Sequence, residues 1–127
     1  VAETAPGRVY VVDDDQSVRD SLKFLLRLYG FEVDLYASCQ DFVAAFDGTG
    51  GCLVLDQHMP EMTGIDFVER HGAALGGLPV LMMSANVEAE TRDRATRAGV
   101  AAFLEKPVDT SRLVDELRRL TAPADHP

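Results

Sequence analysis

Acidic, hydroxyl and amine side chains stand where four apolar runs of this chain stop. Val9-Tyr10-Val11-Val12 leads into Asp13-Asp14-Asp15, and Cys52-Leu53-Val54-Leu55 leads into Asp56. Val80-Leu81-Met82-Met83 leads into Ser84, and Ala101-Ala102-Phe103-Leu104 leads through Glu105 into Lys106-Pro107. Adjacent carboxylates such as Asp13 and Asp14 repel one another unless a cation sits between them. Mg2+ meets that need, because it takes oxygen ligands in octahedral geometry, often one or two carboxylates with waters and phosphate oxygens. A carboxylate can also attack phosphorus and give an aspartyl phosphate. A divalent cation and Lys106 would offset charge on the transferring group, and the Ser84 hydroxyl can donate a hydrogen bond to a phosphoryl oxygen. Taken singly, Asp15 reads as a helix cap, Ser84 as a cap or turn residue and Lys106 as a solvated charge. Their agreement in type and register at separate run ends is what points to phosphoryl chemistry.

Such convergence needs a parallel sheet. Each run has the length and apolarity of a strand buried on both faces. Carboxyl ends of parallel strands share one edge, and ligands bind in the crevice outside it. Helical patterns fall between the runs, as repeated βα units require. After the first run, Val18, Leu22, Leu25 and Tyr29 recur at helical spacing, Ser17 with Asp20 resembles a capping pair, and Gly30 suits a left-handed stop. Phe31 to Tyr36 alternates with period 2, as an edge strand does. Ser38 with Asp41 opens a helix carrying Phe42, Val43 and Phe46, and Thr63 with Asp66 caps one carrying Ile65, Phe67 and Val68. A weakly apolar helix rich in Arg and Glu is predicted from about Val87 to Ala98, closed by Gly99. Its composition suits a solvated helix, or a partner or dimer face. The last helix begins near Asp109 or Thr110 and carries Leu113, Val114, Leu117 and Leu120. The expected fold is α/β, a flavodoxin-like doubly wound sheet of five parallel strands in the order 2-1-3-4-5, with helices on both faces. The expected organisation is an N-terminal extension over 1–7, one domain over 8–120, and a tail or linker over 121–127.

Composition narrows the field. The chain has 127 residues, 46% of them hydrophobic, and its mean hydropathy is near zero, as in one folded domain. Its net charge of −9 should repel nucleic-acid phosphates, so direct nucleic-acid binding by this domain is not expected. No apolar stretch approaches membrane-spanning length, and the opening residues lack the basic region and apolar core of a signal peptide. Cys39 and Cys52 form no metal-like or redox-like pair and read as free thiols in a reducing cytoplasm.

Val12-Asp13-Asp14-Asp15, Asp56-x-x-Met59-Pro60-x-Met62-x-Gly64, Ser84-Ala85 and Phe103-Leu104-Glu105-Lys106-Pro107 together resemble the receiver domain of bacterial two-component response regulators. The resemblance spans about Arg8 to Leu120 and looks nearest to the NarL/FixJ branch. Asn86-Val87-Glu88 departs from the Gly-His-Gly-Asp run common there. The resemblance implies that Asp56 accepts a phosphoryl group from a sensor histidine kinase. Asp13, Asp14, Asp56 and the backbone carbonyl of His58 would hold Mg2+ (or Mn2+), while Ser84 and Lys106 would contact the phosphoryl group. Ser84 and Phe103 would form the switch pair, Lys106-Pro107 a cis peptide, and His58 and Asn86 would tune phosphoryl lifetime. The face made by the last two helices and the strand between them would carry the signal, with homodimerisation through it a further expectation and transcription the expected output. Catalysis would be limited to the domain's own phosphorylation and dephosphorylation.

Three other functions use similar folds or similar residues. An aspartyl-phosphate phosphohydrolase would use Asp13 and Asp15 two apart on the first strand, but it needs a cap domain and a late acidic motif that this chain lacks. A flavodoxin-like electron carrier would need a hydroxyl- and Gly-rich loop where Asp13-Asp14-Asp15 stands. A phosphorylation-independent adaptor of the same fold would not need the intact acids, hydroxyl and lysine.

Overall fold

Strands and helices alternate along the chain, as the apolar runs require. The computed structural model describes residues 7–85 and 88–121. In chain order the elements are β1 (Arg8–Val12), α1 (Gln16–Leu28), β2 (Glu32–Tyr36), α2 (Cys39–Ala45), β3 (Cys52–Asp56), α3 (Gly64–His71), a 3-10 turn (Gly72–Leu75), β4 (Val80–Ser84), α4 (Ala89–Ala98), β5 (Ala102–Glu105) and α5 (Thr110–Thr121). The five strands form one sheet in the order β2-β1-β3-β4-β5, with every pairing parallel. This is the predicted doubly wound topology.

Side chains alternate across the sheet and build two apolar layers. Val9, Val11, Val54, Leu81 and Met83 face α1 and α5, where they meet Leu26, Leu113, Val114 and Leu117. Tyr10, Val12, Leu53, Leu55 and Met82 face α2, α3 and α4, where they meet Phe42, Ile65, Phe67 and Ala95. β3 and β4 are buried along their whole length, as central strands should be. The fourth run differs from expectation. β5 is only partly buried, because it lies at the sheet edge with a partner on one side only. β2 is the opposite edge, as its alternation predicts.

Local signals account for most helix ends. Ser38 accepts a hydrogen bond from the Asp41 N–H, and Thr63 and Asp66 complete a reciprocal capping box on α3. The expected Ser17–Asp20 pair is corrected. α1 is capped instead by Asp15, whose carboxylate accepts from the backbone N–H groups of Ser17 and Val18. A carboxylate placed one residue before the first turn reaches those N–H groups, whereas Ser17 already lies within the helix. Tyr29 is likewise not a core residue of α1. It ends the helix and is exposed, and Leu26 is the buried contact. Val43 is also exposed. α4 begins at Ala89, and α5 includes Thr121, one residue past the expected boundary. Val87 and 122–127 lie outside the described residues. No helix among the described residues is long and apolar enough to cross a membrane.

Candidate functional site

The parallel register brings the run ends to one edge. Val12 pairs with Leu55, Asp56 with Met83, and Ser84 with Glu105. Three backbone bonds extend the ladder past the strands: Asp13 N–H to the Tyr36 carbonyl, Gln57 N–H to that of Met83, and Lys106 N–H to that of Ser84. The loops that carry the polar groups are therefore fixed where they leave the sheet.

Strand parity then sorts the side chains. Asp56 follows Val54 with period 2 and Asp13 follows Val11, so both lie toward the α1 and α5 layer. Both carboxylates are almost wholly buried, at 1% exposure for Asp13 and 3% for Asp56. Asp14 is exposed at the rim. Oxygen atoms of Asp13, Asp14 and Asp56 all lie within 4.8 Å of one another. Lys106 Nζ stands 2.9 Å from Asp56 Oδ1 and 3.9 Å from Asp13 Oδ2. Neither approach has hydrogen-bond direction, since Asp13 Oδ2 and Asp56 Oδ1 both lack a hydrogen-bond donor. One lysine therefore faces a cluster of acids as an ion-pair partner only. Burial raises the Asp13 carboxyl above the usual carboxylate range, and the Asp15 N–H donating to Asp13 Oδ1 at 2.9 Å offsets part of that rise. The neighbouring Asp56 charge adds to the rise.

This donor set fits a hard divalent cation. It offers carboxylate oxygens that converge within a few ångströms and two buried oxygens with unused lone pairs. One lysine offsets only part of the charge of three clustered carboxylates, and a bound cation would offset the rest.

Ser84 is fully buried and follows Met82 on the other side of the sheet, toward α3 and α4. Its Oγ lies 3.4 Å from His58 Nε2. Phe103 pairs in register with Met82 and packs against the same layer. The two residues read as a switch pair thus share one face. The Lys106-Pro107 peptide is cis, as expected. Asn86 lies outside the described residues. Cys39 and Cys52 are free, and burial pushes their thiols up to about 11 and about 12.

Several positioning residues escaped the sequence reading. Arg19 Nη1 donates to the Asp13 carbonyl at 2.7 Å and steadies the acidic loop. Gln57 is buried, and its Oε1 accepts from the Ile65 N–H at 2.8 Å, tying β3 to the start of α3. Gly64 explains the glycine of the Asp56 motif. A Cβ there would stand 2.8 Å from the Asp56 carbonyl oxygen, so α3 can approach the end of β3 only with glycine at that point. Arg19 and Gln57 carry no pattern in sequence, whereas Gly64 belongs to the Asp56-x-x-Met59-Pro60-x-Met62-x-Gly64 motif.

A model of the response regulator receiver domain matches residues 9–118. The chain belongs to the receiver domain family of response regulators. It is 40% identical over 111 residues to the transcriptional regulatory protein FixJ of Bradyrhizobium diazoefficiens, covering 87% of this chain and 54% of that protein. It is 35% identical over 115 residues to the transcriptional regulatory protein TdiR of Thauera aromatica, covering 90% and 51%. The receiver chain thus spans about half the length of the curated relatives it matches. Among solved structures, full-length FixJ from B. japonicum superposes with a TM-score of 0.83 at 37% identity, covering 94% of this chain and 61% of that one. The FixJ-N structure gives a TM-score of 0.85 at 29% identity, covering 98% and 100%. These likenesses agree with the NarL/FixJ branch.

Proposed function

We propose that this receiver domain accepts a phosphoryl group on Asp56 from a sensor histidine kinase. The observation that carries the reading is a buried carboxylate 2.9 Å from a lysine amine, with two further carboxylates within 4.8 Å, all at one sheet edge. An Asp56 oxygen attacks phosphorus as the donor's P–N bond breaks, and the donor imidazole nitrogen leaves with that electron pair. Lys106 neutralises charge on the transferring group, and Ser84 donates a hydrogen bond to one of its oxygens. Asp13, Asp14, Asp56 and the His58 carbonyl hold Mg2+ (or Mn2+), which when bound supplies positive charge to the phosphoryl oxygens.

The phosphorylated site draws Ser84 away from His58, and Phe103 turns into the space released. That is a local charge change biasing a two-state element. The α4-β5-α5 face reads out the change and serves as a homodimer surface, and the output is control of transcription in the cytoplasm. His58 and Asn86 tune phosphoryl lifetime. The 3.4 Å approach of His58 to Ser84 supports this for His58. The domain also returns to its starting form by hydrolysing its own aspartyl phosphate.

Intact-mass measurement after incubation with acetyl phosphate and Mg2+ tests the reading. One phosphoryl adduct is expected, lost in Asp56→Asn and abolished by a chelator. A folded protein that forms no such adduct, even when sampled quickly, would favour the phosphorylation-independent adaptor.

A further inference from the structure

Helix α4 is seated by polar contacts more than by core. α3 buries Ile65, Phe67 and Val68, and α5 buries Leu113, Val114 and Leu117, whereas α4 buries only Ala95. A cleft of about 290 Å3, lined by Gln57, Ile65, Thr91 and Arg94 among others, opens between α4 and the start of α3. Two arginines of α4 make specific contacts nearby. Arg94 Nη2 donates to Asp66 Oδ1 and to Glu69 Oε1, both at 2.7 Å, and so straps α4 to α3. Arg92 places its guanidinium over the Phe103 ring, 5.1 Å from the centroid.

The two contacts differ in what they bias. The Arg94 strap holds one helix to another and does not depend on the Phe103 rotamer. The Arg92 contact exists only while the ring presents its face to α4, because a cation is attracted to the face of the ring and not to its edge. Phe103 lies on the same side of the sheet as Ser84, and Ser84 here approaches His58. We propose that Arg92 is a positioning residue of the switch: its guanidinium holds the Phe103 ring in the arrangement that accompanies Ser84 on His58. It thereby sets how readily that arrangement gives way to one with Ser84 at a phosphoryl group on Asp56. The inference rests on the phosphoacceptor reading of Asp56. A contact made in one arrangement and lost in the other is what can shift an equilibrium between them.

The test is calorimetric titration with Mg2+ and beryllium fluoride, a phosphoryl mimic, alongside NMR of the Phe103 ring. Arg92→Met keeps the apolar stem and removes the cation. It is expected to bind the mimic about two- to fivefold more tightly than wild type, the range for an exposed cation–ring contact. Without the mimic, its Phe103 resonances should already lie part-way to their bound positions. Arg92→Lys should fall between the two proteins. Arg118→Met removes a similar contact, 5.8 Å from the Tyr29 centroid and between α5 and α1, and should match wild type. Unchanged or weaker binding by Arg92→Met, with unmoved ring resonances, overturns the proposal. If wild type binds no mimic, the phosphoacceptor reading falls instead. Arg92 is then judged by the ring alone: Arg92→Met must move the Phe103 resonances if the clasp exists, and it fails if they stay.

Discussion

Asp13 is the residue at which burial and charge conflict most plainly. It is almost fully buried, one of its oxygens has no hydrogen-bond donor, and its pKa is raised chiefly by burial. A folded-state pKa above the unfolded one means that the metal-free fold loses stability as pH rises through the folded value. Asp13→Asn should therefore stabilise the metal-free domain at neutral pH, by about 1–3 kcal/mol. The gap should close as the solution is acidified below the unfolded carboxylate pKa. Denaturant unfolding at neutral and acidic pH checks both halves. Millimolar Mg2+ should raise the Tm of wild type and leave Asp13→Asn much less affected, since ligand binding to the native state adds stability. Lys106 faces the acids from the other side, 2.9 Å from Asp56. Lys106→Ala should slow adduct formation from acetyl phosphate by about 10²-fold, the usual loss when one preorganised charge-stabilising group is removed.

At the scale of elements, the ends of β3 and α3 meet with no slack. Gly64 sits against the Asp56 carbonyl, and the cost of a side chain there is steric, because a Cβ would stand 2.8 Å from that oxygen. Gly64→Ala should push α3 off the strand end and cost about 1–3 kcal/mol, as overpacking commonly does. It should also lower the rate of phosphorylation at Asp56 at a pH and temperature where the fold persists, which separates misplacement of the site from unfolding. Asp15 has a different role from its acidic neighbours. It caps α1, and hydrogen bonds from the Ser17 side chain and backbone hold its carboxyl below the usual range. Asp15→Ala should lower the Tm in thermal unfolding, because the N–H groups of Ser17 and Val18 lose their cap. It should leave Mg2+ affinity close to wild type, whereas Asp13→Asn should not.

Over the whole molecule, two kinds of carboxylate respond to pH in opposite directions. Asp66 and Glu69 titrate below the usual range because Arg94 donates hydrogen bonds to them. Their contribution is present above the unfolded carboxylate pKa and is lost as pH falls through the depressed folded values. Asp13 behaves in the reverse sense. Acidification should thus loosen the α3–α4 strap while relieving the acidic edge. Hydrogen exchange should show α4 losing protection before β1, β3 and β4 as pH falls, because α4 has little core to hold it. Uniform loss across all elements would contradict that order. The net charge of −9 adds a long-range effect, since an acidic domain repels nucleic acid. In relatives about twice as long, this chain corresponds to one half.

The sequence by itself determined the element order, the sheet topology and the four run ends that meet at the site. The strand order follows from the flavodoxin-like pattern of repeated βα units. The element order and the run ends follow from periodicity and from the reactive residue at each strand terminus, which are local properties. Ser38, Thr63 and Asp66 were legible as caps for the same reason: a cap bonds to groups three residues away. The Ser17–Asp20 pair failed because Ser17 already lies inside α1, while Asp15, which taken singly reads as a cap, holds that position. Only the tertiary structure decided that Asp13 and Asp56 lie on one side of the sheet while Ser84 and Phe103 lie on the other. It alone supplied Arg19 on the Asp13 carbonyl, Arg94 across α3 and Arg92 over Phe103. Such contacts join residues of different elements, so no spacing along the chain encodes them. They depend on which faces the helices present once the core has closed.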